Sequence, residues 1–426
     1  QALRPRVVAP RPQGLTEAGR PRPARIAAAG AGRLARRPTS RHMPGMSDIP
    51  GSALILGGGI MGLSAAWAVA RQGTAVRLVE QDPIPNPRGA SHDHHRLIRH
   101  AYGPSLAYLR MVEAAHGAWD LLWAELGERL MVDADVLALA SSPGGWLAES
   151  RAALRAEGHA VQDLGPAELA RRFPALSPDG IADAFLAGRG GVLLADRILA
   201  ALLRRCLALG VTVERARAAA VDPGHARLRL ADGTWRKAEL LLVAAGPWAP
   251  RLLPGLAGRV AASRQVTVFL EPPPGAREAW AAMPMLLDLS ESGGFYLVPP
   301  VAGTPAKIGD HRFSCQGDAE DDRAATPAEA AAILALARPR LRDLGACRVL
   351  GARACYYEVE PRERILLEPL GDRAWVLTGT SGHGFKFGPL LGLGLARAMA
   401  APALRAGLPG WAAGEAPPPA GLLPAA

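Results

Sequence analysis

The segment Gly57-x-Gly59-x-x-Gly62 lies directly between a short apolar run, Ser52 to Leu56, and a stretch from Ile60 to Arg71 that carries apolar residues at helical spacing. Ala75 to Val79 then reads as a second strand closing on Glu80, 23 residues after Gly57. Strand, helix and strand in about 30 residues make the smallest dinucleotide-binding unit. The first glycine permits the tight turn, the second lets backbone approach a pyrophosphate, and the third allows the helix to pack closely on the strand. The helix start at Ile60 and Met61 offers unpaired N–H groups and a positive dipole to phosphates, while Glu80 can accept hydrogen bonds from a ribose. Gly57, Gly59, Ile60, Met61, Gly62 and Glu80 are therefore read as cofactor contacts. The signature alone leaves FAD and NAD both open.

Further along, residues 104–127 read as an amphipathic helix, 196–209 as a helix ending at Gly210, and 326–343 as another. Strands are expected at 211–215, 226–230 and 239–244, the last leading into Gly246, and again at 265–270, 294–299, 305–309 and 348–358. Near the end, a strand at 374–379 runs into a glycine-rich turn, Thr378 to Gly384, and a helix from about 388 to 402. The positive end of that helix would point back at the cofactor, so Gly246, Gly382 and Gly384 join the cofactor set. The nucleotide-binding pieces are thus scattered over 51–100, 195–255 and 360–402, with 101–194 and 256–359 forming a β-rich substrate domain between them. Two discontinuous domains suit a chain of 426 residues, on a prior of roughly 100–200 residues each. Residues 410–426, rich in Pro, Gly and Ala, are expected to be a loose tail.

A net charge of +10 would suggest a nucleic-acid partner if it were spread over a folded surface. It is not. Residues 1–50 hold ten arginines against Glu17 and Asp48, which leaves the remaining 376 residues close to neutral. That Arg/Pro/Ala-rich stretch lacks hydrophobic periodicity and is expected to be disordered. A translated extension ahead of Met43 or Met46 explains it better than a transit peptide. A twin-arginine signal would need an apolar segment after Arg36-Arg37, where Pro44, Gly45 and Ser47 follow. No run reaches the roughly 18 apolar residues of a membrane span. Four cysteines without a C-x-x-C pair suggest neither zinc nor disulfides, and point to a reducing, cytoplasmic setting. No Ser/His/Asp or metal constellation is evident.

Two further segments carry a specific resemblance. Ser91-His92-Asp93-His94-His95-Arg96-Leu97-Ile98-Arg99-His100-Ala101-Tyr102-Gly103 and Ser381-Gly382-His383-Gly384-Phe385-Lys386-Phe387 resemble, in order and approximate spacing, motifs of the sarcosine oxidase and N-methyltryptophan oxidase family. This family lies within the D-amino-acid-oxidase-like flavoenzymes. The resemblance spans about residues 50–402. It implies an α/β fold, with a Rossmann-like FAD-binding domain of the glutathione-reductase-2 type and an interleaved β-rich α+β substrate domain. By that resemblance Arg99 and Lys386 hold a substrate carboxylate, and Ser91 and Arg96 contact the flavin. The roles of His92, His94 and His95 stay open. Lys307, in Lys307-x-Gly309-x-His311, matches a lysine near the flavin that speeds oxygen reduction, and Tyr296 and His311 match residues of the substrate pocket. Cys355 falls where these enzymes link the flavin through a thioether. Glu358, Glu360 and Arg362 depart from the family pattern downstream of it.

The function so implied is oxidation of a secondary amine or N-methyl amino acid to an imine, with O2 reduced to hydrogen peroxide. A dehydrogenase with another electron acceptor would leave Lys307 without a purpose. A non-catalytic flavoprotein subunit would have no need of Arg99, Lys307 and Lys386 together. An NAD-dependent dehydrogenase would keep its substrate domain in one block.

Overall fold

The computed structural model describes residues 51–290 and 294–423; the basic extension expected over residues 1–50 lies outside the described residues. The opening strand Ser52–Leu56 sits at the centre of a six-stranded sheet, parallel to Ala75–Glu80 on one side and Leu240–Val243 on the other. Thr212–Arg215 extends the sheet beyond the first neighbour, and Ala374–Thr378 and Leu366–Gly371 extend it beyond the second. Only the last of these is antiparallel. The central strands are mostly aliphatic because both faces are covered, one by helices and the other by residues 226–230 and 249–256. Helix Ile60–Ala70 is buried along its whole length and packs on helices Ala195–Ala208 and Gly388–Ala400. A Cβ on Gly392 would lie 2.6 Å from the Ser64 carbonyl oxygen, so glycine there sets how closely two of these helices approach.

A second, nine-stranded sheet runs from Arg348–Val359 through Ala261–Glu271, Ala306–Asp310, Phe295–Val298, Met285–Asp288, Met131–Ala140 and Asp183–Leu193 to Arg96–Ile98, with Val161–Asp163 added beside Asp183–Leu193. A separate three-stranded antiparallel sheet spans 218–237. Helix Leu106–Leu126 begins at Ser105, whose hydroxyl accepts from Tyr108 N–H, and stops at left-handed Gly127. Helix Pro327–Ala337 opens with a capping box of Thr326 and Glu329. It ends six residues short of the expected 343: Arg338 is still helical in its backbone, but Pro339 has no N–H to donate to the ladder.

Two boundaries differ from expectation. The cofactor segment expected to run to residue 100 gives way at Arg96, where Arg96–Ile98 pairs antiparallel with Gly191–Leu193 in the second sheet. The backbone carrying Arg96 and Arg99 is thereby held at the seam between the two sheets. The expected loose tail over 410–426 is structured through residue 423: helix Leu408–Ala412 puts Trp411 on Gly394, where a Cβ would meet the indole at 2.7 Å. Trp411 and Leu422 are each only 2 % exposed. Low-complexity composition hid three apolar anchors, Leu408, Trp411 and Leu422, which suffice to dock the segment. Among the described residues no helix is long and apolar enough to cross a membrane.

Candidate functional site

The glycine turn and the start of helix Ile60–Ala70 form one wall of a cleft at the carboxyl ends of the parallel strands. Gly57 has φ +111°, and a Cβ on it would sit 2.2 Å from the Ala244 carbonyl oxygen. A Cβ on Gly62 would lie 1.8 Å from the Gly57 carbonyl oxygen. Neither position admits another residue without moving backbone. Glu80 is held at the cleft floor, accepting from Gly58 N–H (2.6 Å), Asp82 N–H (3.1 Å) and Asn86 Nδ2 (2.9 Å). Burial raises its pKa, and those donors partly restrain the rise. The Ser91 hydroxyl accepts from Ile60 N–H at 3.0 Å at the helix start, and Ser91 lines the cleft. Gly59, Met61, Gly246, Gly382 and Gly384 line the same cleft.

A second cavity of about 310 Å³ adjoins it, and Arg96, Tyr357, Gly382 and Phe385 belong to both linings. Gly382, at φ +74°, would drive a Cβ to 2.5 Å from the Tyr357 ring. Into this cavity the fold brings Arg99, Tyr296, Lys307, His311 and Lys386 together from four separate segments. Tyr296 lies over Gly309 of the neighbouring strand, in cross-strand register with it. His311 stands beside it, ring centroids 5.9 Å apart. Enclosure first, and the charge of Arg99 second, push the pKa of His311 down to about 4, so its ring is neutral near pH 7.

Arg99 and Lys386 form a cationic end. The Arg99 guanidinium is half-buried, donates to the Ala101 carbonyl, and stacks between the rings of Tyr102 (5.1 Å) and Trp146 (5.5 Å). Lys386 sits on the buried turn Phe385–Phe387, whose backbone is tied to helix Leu106–Leu126 by Trp119 Nε1 donating to the Lys386 carbonyl at 2.7 Å. Its Nζ donates to Tyr102 Oη at 2.9 Å and to the His383 carbonyl at 3.0 Å. Burial, then Arg99, holds the Lys386 ammonium well below the usual lysine range. No described carboxylate lies within ion-pair distance of either cation. Glu363 also lines the cavity and its charge acts on Arg99, but it is exposed and makes an ion pair with neither cation, so a bound anion would still relieve the cost of holding both there.

Lys307 is built differently. Its Nζ donates to Asp93 Oδ2 at 2.9 Å and to the His95 carbonyl at 2.8 Å. Arg96 donates to the same Asp93 oxygen and to the Ala90 carbonyl at 2.7 Å. Burial alone would raise the Asp93 carboxyl, but Lys307 and Arg96 hold it well below the carboxylate range. Lys307 itself is pushed down to about 8, burial outweighing the pull of Asp93. Sequence reasoning missed Asp93, which reads as one polar residue in a histidine-rich turn, as well as Tyr102, Tyr357 and His383. The available signal for the lysines is compositional. The chain has only three, Lys237, Lys307 and Lys386, among 49 basic residues, and two of them are buried here.

Of the predicted residues, Gly62, packed against the Gly57 carbonyl, and Cys355 are brought to neither lining. Cys355 is buried on strand Arg348–Val359 opposite Gln265, and burial raises its thiol despite Arg96, Arg353 and Arg323 nearby. Of the departures from the family pattern, Glu358 lies in the cleft wall. Its Oε1 accepts from Thr380 Oγ1 at 2.6 Å, and its Oε2 is buried with no partner among the described residues. Such an orphan, beside a glycine cradle that side chains would fill, fits a bound dinucleotide whose polar groups complete it.

A dinucleotide cleft opening end-on into a small polar cavity is the architecture of a cofactor-dependent oxidoreductase. The chain belongs to the FAD-dependent oxidoreductase family, whose model matches residues 52–398. It is 28% identical over 358 residues to the N-methyl-L-tryptophan oxidase of Salmonella heidelberg (strain SL476), covering 80% of this chain and 92% of that protein. It is 30% identical over 351 residues to the peroxisomal sarcosine oxidase of Mus musculus, covering 80% and 90%. The L-proline dehydrogenase from P. horikoshii shares the fold, with a TM-score of 0.71 at 17% identity over 82% of this chain and 93% of that one.

Proposed function

We propose that this FAD enzyme oxidises the C–N bond of a small secondary amine bearing a carboxylate, an N-methyl amino acid, with O2 as electron acceptor. The observation that carries the reading is the pair Arg99 and Lys386, one half-buried and one buried cation lining the cavity with no described carboxylate in ion-pair distance of either. A guanidinium fork and an ammonium point charge fix a carboxylate in position and orientation. FAD, when bound, supplies the acceptor for the hydride equivalent and passes the electrons to oxygen, leaving an imine that water hydrolyses and releasing hydrogen peroxide.

The protein's own contribution is orientation and charge. The cations lower the pKa of an amine held beside them and so favour its neutral, oxidisable form. Tyr296 and the neutral ring of His311 supply hydrogen-bonding groups to the same cavity without adding a further charge. Lys307 presents a buried ammonium to the cavity, sharing Asp93 with Arg96, which lines both cavity and cleft; positive charge there stabilises negative charge building on oxygen. The four free cysteines support a reducing, cytoplasmic setting.

The test is a peroxide assay of the purified, FAD-loaded protein with N-methyl amino acids, each paired with its decarboxylated amine. Turnover of the acid at least tenfold faster than that of its amine is expected. Equal rates on both, or no peroxide from any N-methyl amino acid, would sink the reading.

A further inference from the structure

On the far side of residues 99–103 from the cavity, three chain segments bring imidazoles and a carboxylate together. His100 follows Arg99 directly and is 3 % exposed. Its Nε2 lies 3.1 Å from Glu113 Oε2, on helix Leu106–Leu126. The ring of His159, from the turn after helix Gly145–Ala156, stands 4.5 Å from that of His100. One ligand atom each from His100, Glu113 and His159 lies within 4.8 Å of the others, the only such group among the described residues. A fourth side chain, His116, stacks on His100 at 5.1 Å and 10°.

The surroundings hold these groups in place. Glu157 takes a two-pronged ion pair from Arg110, at 2.8 and 2.9 Å, which pins the end of its helix to helix Leu106–Leu126. His159 N–H then donates to the Leu154 carbonyl at 2.9 Å after left-handed Gly158. Arg189 donates to Glu113 Oε1 at 2.7 Å, leaving Oε2 for the histidines. The packing is poorly satisfied as it stands: His100 Nδ1 and His116 Nε2 are buried without a hydrogen-bond partner. Buried ring nitrogens in native structures are ordinarily paired.

We propose that His100, Glu113 and His159 form a divalent-cation site of the zinc class, three protein ligands with water completing the shell. Two imidazoles and one carboxylate match the preference of Zn2+ for N and O donors. Ligand atoms about a tetrahedral zinc stand roughly 3.3 Å apart at bonds of about 2.05 Å. The observed spacing is wider, and side-chain rotation has room to close it because Glu113 is exposed and His159 half-buried. The same exposure gives an ion access from solvent. Because His100 adjoins Arg99, an ion here ties the backbone bearing that guanidinium to helix Leu106–Leu126 and to the turn after helix Gly145–Ala156.

The experiment is calorimetric titration of Zn2+ into FAD-loaded, chelator-stripped full chain carrying no histidine tag, alongside His159→Ala, Glu113→Gln and, as control, the exposed His225→Ala. One equivalent per chain is expected, weakened at least tenfold in each of the first two variants and unchanged in the control. Flavin content and metal-free melting temperature confirm that each variant is folded. Glu113 is on the surface, so its variant carries the test even if His159→Ala folds poorly. No saturable zinc binding, or wild-type affinity in Glu113→Gln, overturns the assignment.

Discussion

Lys307 and Asp93 form a buried ion pair, Nζ to Oδ2 at 2.9 Å, with side chains 3 % and 5 % exposed. Arg96 shares the same carboxylate, so two cations lining the cavity depend on one anion. Lys307 is pushed down to about 8 and would fall further without Asp93, which pulls it up. If its ammonium drives oxygen reduction, reoxidation of the reduced enzyme declines as pH rises through about 8 and the proton leaves. In Asp93→Asn the same decline is expected at lower pH. Lys307→Met removes the charge at every pH and slows reoxidation by about a hundred- to a thousand-fold. Stopped-flow mixing of reduced enzyme with oxygen across pH 6–10 reads all three, and a pH-independent Lys307→Met at wild-type rate removes the role.

Arg99 and Lys386 answer to a different measurement. Truncating one partner of an enclosed charge contact costs about 2–5 kcal/mol, so Lys386→Met and Arg99→Gln should each weaken a carboxylate-bearing competitive inhibitor by about thirty-fold or more. Flavin difference spectra give that Kd directly. The ammonium of Lys386 is also a burden on the fold: its pKa is depressed on folding, so the unfolded chain binds the proton more readily. Stability therefore rises as pH climbs through the depressed folded value and the native lysine becomes neutral. Lys386→Met, which never carries the charge, should melt a few degrees higher than the parent at pH 7 in the absence of substrate analogue while losing affinity for it.

Cys355 has the geometry least matched to its expected part, and an acid-precipitation experiment decides it. A thioether to the flavin 8α-methyl group requires the thiolate. Burial opposes that form, and Arg96, Arg353 and Arg323 favour it. With the link made, yellow colour stays in the acid pellet of the parent and moves to the supernatant in Cys355→Ser. Colour released from the parent itself removes the link and leaves the noncovalent cleft intact.

What was legible in the sequence was whatever the backbone itself encodes. Gly57, Gly62 and Gly382 are needed because a Cβ would strike a carbonyl or a ring, and such positions announce themselves as glycines beside a strand. Lys307, Arg99 and Lys386 were reachable because short motifs surround them. Asp93 was not, since its meaning comes from Lys307, 214 residues away, across two sheets. Tyr102 and His383, joined by a hydrogen bond of 3.2 Å over 281 residues, are likewise products of tertiary contact. The same holds for His100, Glu113 and His159, whose spacing matches no metal motif because three separate segments supply them. Boundaries went astray where composition outweighed single anchors, most plainly after residue 408.

Trp411 is where that error becomes measurable. The segment after helix Gly388–Ala400 is rich in proline, glycine and alanine, yet its indole is 2 % exposed and fills the space left by the missing side chain of Gly394. Tyr108, on helix Leu106–Leu126, donates its hydroxyl to the Ala412 carbonyl at 3.4 Å and accepts from Ile365 N–H at 3.0 Å. The segment thus bridges the helix that supports Lys386 and the edge of the parallel sheet. Removing a buried tryptophan costs about 3–5 kcal/mol, so Trp411→Ala should lower the melting temperature by several degrees, and deletion from residue 408 onward should lower it further and loosen flavin binding. A disordered tail predicts no change in either. Differential scanning fluorimetry on flavin emission reads both outcomes at once, because loss of the segment releases the cofactor at a lower temperature than in the parent.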